Sequence, residues 1–195
     1  MNLVARVKAI LLSPKTEWGV IEAEQATVGS LYTGYIMPLA AIPAVASFIG
    51  LGMIGTSGYR WGMGSALTMA VTSYVMALAG VFVLALIVDA LAPTFGGQKN
   101  QIQALKVAAY SSTASWLAGI FSLIPALSVL AILGLYSLYL LFLGLPKLMK
   151  APQEKAAGYT IVAIICAIVV YAVLAWVTAM IVPRPAFGGL PGMMP

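Results

Sequence analysis

The sequence predicts an all-α, polytopic membrane protein with five transmembrane helices and a short amphipathic N-terminal helix. Three observations lead there. Of 195 residues 62% are hydrophobic and 8% charged, with a mean hydropathy of +1.03, whereas a soluble domain carries roughly a quarter charged residues. Apolar runs long enough to cross a bilayer recur along the chain, and each must be helical because hydrocarbon offers no partner to an open backbone. The ten Lys and Arg residues are scattered between the runs and form no dense patch, so they read as topology determinants, and no nucleic-acid partner is expected.

Residues 1–30 read as a cytoplasmic, interfacial segment. Leu3, Val4, Val7, Ile10 and Leu11 recur at helical spacing while Arg6 and Lys8 fall outside that stripe, as in a helix lying on a membrane surface. Ser13 and Pro14 are a natural cap and first helical position for a second short helix, with Trp18 as an interface anchor. Glu17, Glu22 and Glu24 follow; their spacing fits no calcium loop and suits a solvated helix face. A signal peptide is the rival reading, but the apolar stretch Ala9 to Leu12 is short and no small-residue cleavage site follows.

The membrane domain is expected over 31–182. The first span, Leu31 to Ile54, carries Pro38 and Pro43, which should kink or divide it. The second runs from about Gly64 to Leu91, the third from about Leu105 to Leu123, the fourth ends near Leu145, and the fifth covers Tyr159 to Val182. Residues 183–195, rich in Pro and Gly, read as a disordered tail. With the N terminus inside, the inner segments hold Arg6, Lys8, Lys15, Lys99, Lys106, Lys147, Lys150 and Lys155, against Arg60 and Arg184 outside. The positive-inside rule then places the N terminus in the cytoplasm and the C terminus in the periplasm or outside the cell.

Chemistry-bearing residues are few. No histidine and one cysteine, Cys166, remove the usual zinc ligands, the common nucleophile pairs and any disulfide framework. No metal, cofactor or catalytic residue is expected. Asp89 is the one carboxylate at the end of an apolar run; with Lys106, Tyr110 and Ser111 it is the candidate polar or ion site. The rival reading puts Asp89 at the membrane boundary, solvated by water and lysine. Ser111, Ser115 and Gly119 recur every fourth residue, as does the Thr68 and Thr72 pair, a spacing that serves close helix packing or a polar lining. Arg6, Lys8, Lys147, Lys150 and Lys155 form the candidate lipid or partner surface, with anionic headgroups as the natural counter-charge. Gly96 and Gly97 lie in no phosphate-binding pattern and read as turn residues.

Two stretches, LAPTFGGQKNQIQALKVAAYSSTASWLAGIFSLIP and LGLYSLYLLFLGLPKLMKAPQEKAAGYTIVAIICAIV, together with ILLSPKTEWGVIEAE near the start, resemble the bacterial branch of the Yip family, the Ypt/Rab-interacting membrane proteins. The resemblance implies five spans with a cytoplasmic N terminus. Eukaryotic relatives act in vesicle traffic and bind prenylated small GTPases. Here the long N-terminal region of those relatives is missing, and their Gly-Tyr-Ser followed by proline stands as Ala109-Tyr110-Ser111 with Ala114, so GTPase docking does not carry over. The expected function is a membrane-organising or partner-binding scaffold without enzymatic activity, forming a homo-oligomer or meeting a protein partner. The alternative is a small transporter or ion channel using Asp89 and the Ser/Thr-lined helices.

Overall fold

A computed structural model describes residues 2–55 and 61–181. Arg60, Arg184 and the expected tail at 183–195 lie outside the described residues. Among the described residues the chain is helical, with no strand.

Two short helices, α1 (Leu3–Leu12) and α2 (Pro14–Ala23), open the chain as a hairpin. The Asn2 side chain caps α1 by accepting from Val4 and Ala5 N–H. Ser13 makes no side-chain cap to α2, where Pro14 starts the helix alone. The first span is one continuous helical run, Val28–Ile54, composed of α3 (Val28–Leu31), a π-helical turn, α4 (Met37–Ile49) and a second π-helical turn. Thr27 and Ser30 cap it reciprocally. Pro38 stands at the head of α4, where its missing N–H falls after the wide turn Tyr32–Ile36. The prolines therefore reshape this helix without dividing it.

Helix α5 (Met63–Leu91) runs into a 3₁₀ turn, Ala92–Phe95, which stops at Gly96 with φ 75°. Only glycine enters that left-handed region without strain. The third expected span is broken into α6 (Gln101–Ser111), α7 (Thr113–Ala118) and a 3₁₀ stretch, Gly119–Leu123. A second 3₁₀ stretch, Pro125–Leu135, leads into α8 (Tyr136–Leu148), and α9 (Gln153–Ile181) is the last described element.

Among the described residues four helical runs are long and apolar enough to cross a membrane: Val28–Ile54, Met63–Phe95, Val129–Leu148 and Gln153–Ile181. The α6–α7 segment differs from them in kind. Every residue from Ala104 to Ala114 is buried, because α6 and α7 are packed among α3, α4, α5 and α8. A helix surrounded by protein is released from the apolarity that lipid demands, so it can carry Lys106 and three consecutive hydroxyls, Ser111, Ser112 and Thr113. The outer α9 is the opposite case: 17% of its most apolar window is buried, leaving Ile161, Ile168, Val169 and Trp176 exposed to lipid.

The small-residue series on α6 and α7 serves several neighbours. A side chain at Gly119 would meet Pro43 Cβ of α4, while Ser115 hydrogen-bonds Ser137 Oγ at 2.8 Å and Gly134 O at 3.1 Å. Ser111 turns its hydroxyl back to Ala108 O at 3.3 Å.

Candidate functional site: a docked hairpin at the basic end

The three segments that the charge count assigns to one side meet at one end of the bundle. Gln98 N–H donates to Met149 O at 2.8 Å, Lys150 Nζ reaches Glu22 Oε1 at 2.5 Å, and Gln103 Nε2 donates to Glu22 O at 3.0 Å. Thus the 96–100 loop, the end of α8 and the hairpin are joined directly.

The hairpin is built into the bundle. Ile10, Trp18 and Ile21 are at most 1% exposed, so the aromatic anchor fills a protein core; of the expected stripe Ile10 is buried with it, Leu3, Val7 and Leu11 pack against it partly buried, and Val4 stays exposed. Trp18 lies against Gly144 of α8, where a Cβ would stand 2.7 Å from the indole. Its ring meets Tyr110 edge-on at 6.3 Å between centroids, and Tyr110 packs on Tyr35 at 4.4 Å. Tyr35 closes this aromatic column with a 2.7 Å hydrogen bond to Thr113 Oγ1.

Polar contacts fix the same register. The last carbonyls of a helix lack intrahelical partners and favour a cation. Lys106, 2% exposed, supplies one from α6: its ammonium donates to Ile21 O at 2.8 Å and to Glu24 O. Gln103, one turn earlier, takes Glu22 O. Within the hairpin Arg6 pairs with Glu17 and, at 2.7 Å, with Glu24, and its guanidinium lies 5.8 Å above the Tyr110 ring. On the outside Glu22 bridges to Lys150 at 2.5 Å and Lys147 at 3.4 Å. The hydrogen bond from Lys150, with further help from Lys147, holds the Glu22 carboxyl below its ordinary 4.5 against the opposing effect of burial.

This arrangement redistributes the sequence candidates. Lys106 and Tyr110 do not gather around Asp89: the carboxylates acting on Lys106 are Glu24 and Glu22. Asp89 sits under the Ala92–Phe95 turn beside Tyr159, whose hydroxyl donates to Val88 O at 2.5 Å and whose ring stacks on Phe95 at 5.0 Å. One Asp89 oxygen, Oδ1, is buried with no hydrogen-bond partner. Arg6, assigned from sequence to the lipid or partner surface, is 7% exposed and turned inward. Lys8, Lys147, Lys150 and Lys155 are exposed, but Lys147 and Lys150 also clamp Glu22. The three glutamates are engaged by cations and are not a free solvated face. Sequence reasoning passed over Gln103 and the pairing role of Glu22; the i, i+3 spacing of Gln103 and Lys106 on one helix was the available signal.

A bundle of long lipid-facing helices around a polar, buried central helix defines a multi-pass helical membrane protein. The chain belongs to the Yip1 domain family, whose model matches residues 8–177. It is 27% identical over 190 residues to the inner membrane protein YohC of Escherichia coli K12, covering 91% of this chain and 96% of the relative. The YohC of Escherichia coli O6:H1 matches to the same extent. No solved structure matches it. Family and apolar helices together make this a multi-pass inner-membrane protein.

Proposed function

We propose that the protein is a membrane-organising or partner-binding scaffold without enzymatic activity, its hairpin end in the cytoplasm and its C terminus on the opposite side. The supporting observation is that Lys106 and the hydroxyls along the buried α6–α7 segment are engaged in packing, while Asp89, whose Oδ1 has no hydrogen-bond partner, stands apart from them. Lys106 is committed to the hairpin carbonyls, the hydroxyls of Thr68, Ser73, Ser111 and Thr160 each bond a carbonyl on their own helix, and Ser112 and Thr113, at the α6–α7 break, bond Ala108 O and Tyr110 O of α6. Lys8, Lys15, Lys99 and Lys155 stand exposed around the docked hairpin, where a cytoplasmic leaflet rich in anionic lipid attracts each by about 1 kcal/mol. The eight basic residues of these segments support the inside orientation.

The test uses the purified chain in liposomes and nanodiscs. Ion and proton flux should equal that of protein-free vesicles, and native mass spectrometry should show retained anionic lipid that falls when Lys8, Lys99 and Lys155 are changed to Gln. Among the described residues those three make no ion pair, so the fold survives the change. Flux abolished by Asp89→Asn would establish the conduit reading instead. A reporter fused to the N terminus should be active only in the cytoplasm.

A further inference from the structure

Between the segment joining α2 to the first span and the first turns of α6 lies a polar cavity of about 410 Å³, with Glu22, Glu24, Ala26, Asn100, Gln103 and Lys106 in its wall. We propose that this cavity binds the ammonium-bearing headgroup of an ethanolamine phospholipid.

Three features carry the inference. Gln103 Oε1 is buried and has no hydrogen-bond partner, and an acceptor left in that state costs free energy until a donor arrives. The orientation of the amide is fixed by its other end, since Nε2 donates to Glu22 O at 3.0 Å and a flip would set two oxygens against each other. The missing partner is therefore a hydrogen-bond donor.

The wall is of mixed sign, which selects among donors. A bare cation would meet the Lys106 ammonium. A zwitterion satisfies both sides: its ammonium donates to Gln103 Oε1 while its phosphate faces Lys106 and the first turn of α6, where Asn100 caps only the Gln103 N–H and a helix N-terminus favours an anion. Position supplies the third feature. The residues at 22–26 in the wall run directly into Thr27, the cap of the first span Val28–Ile54, so the cavity opens at the level where headgroups lie.

The ligand class makes a sharp test possible, because a choline headgroup has the same charge and no N–H. The full chain in phosphatidylcholine nanodiscs, with and without one-third phosphatidylethanolamine, is compared by thermal unfolding and by native mass spectrometry. The expected result is a higher melting temperature with ethanolamine lipid and its preferential retention over choline lipid. Gln103→Met should remove that preference. Gln103→Glu, which keeps an acceptor and adds charge, should preserve or strengthen it, and decides the matter even where Gln103→Met folds poorly. Ethanolamine phosphate added to phosphatidylcholine discs separates the sources: equal protection assigns the site to a soluble amine of the same chemistry, and weaker protection assigns it to the lipid. Equal retention of the two lipids by the unmodified chain, or an ethanolamine preference that survives Gln103→Met, overturns the proposal.

Discussion

Arg6 shows how much depends on a single side chain in this protein. It stands between Glu17 and Glu24, with Glu17 14% exposed, so replacing it leaves a carboxylate largely out of water and without its cation. Arg6→Met should destabilise the fold by about 3 kcal/mol, measured by thermal or denaturant unfolding in detergent. Removing the charge as well, in Arg6→Met with Glu17→Gln, should recover part of that loss; a double variant as unstable as the single one would contradict the ion-pair account. Glu22 makes a prediction in pH. Its carboxyl is held below the ordinary 4.5 by Lys150 and Lys147, so its contribution is present above the unfolded value and disappears as pH falls through the lower, folded one. Melting temperature followed from pH 6 to 3 should therefore show an acid loss that Glu22→Gln flattens and that added salt diminishes, since this bridge is on the surface. An unchanged acid slope in Glu22→Gln would remove the clamp from the account.

At the scale of elements, the close approach of α2 and α8 rests on one missing side chain. A methyl at Gly144 would press on the Trp18 indole, so Gly144→Ala should cost about 1–3 kcal/mol by overpacking, with most of it recovered when Trp18 is shortened to Leu. Equal stability of Gly144→Ala and the unmodified chain would mean that the two helices are not in contact. Much of this architecture was legible beforehand. Apolar runs located the long helices, the second span matching α5 to within one residue at each end while α9 begins six residues before the expected Tyr159, and the alternation of lysines grouped the three segments that the structure brings to one end. The α6–α7 break was not legible, because hydropathy reports contact with apolar surroundings and cannot distinguish lipid from a protein core. The packing of the hairpin against α8 was not legible for a related reason. Apolar residues at helical spacing in α1, and the Trp18 anchor in α2, need an apolar partner, and nothing in their spacing says whether that partner is a bilayer or α8.

For the whole molecule, a buried, polar helix acts as the hub on which both the lipid-facing helices and the N-terminal hairpin are assembled. That assembly explains why the candidate site residues separated. Lys106, Tyr110 and Ser111 belong to the hub's interior contacts, whereas Asp89 lies beside Tyr159 against α9. It also leaves Lys8, Lys15, Lys99 and Lys155 exposed, the surface proposed above for anionic lipid. The central claim is that the hairpin is a fixed part of this bundle and not a helix resting on the membrane. Hydrogen exchange of the chain in lipid nanodiscs tests it most directly. The amides of α1 and α2 should exchange nearly as slowly as those of α6, and Lys106→Met, which removes a charged donor from two carbonyls, should speed them by at least about tenfold while α9 is unchanged. Exchange of the hairpin amides within seconds in the unmodified chain, with no response to Lys106→Met, would contradict it.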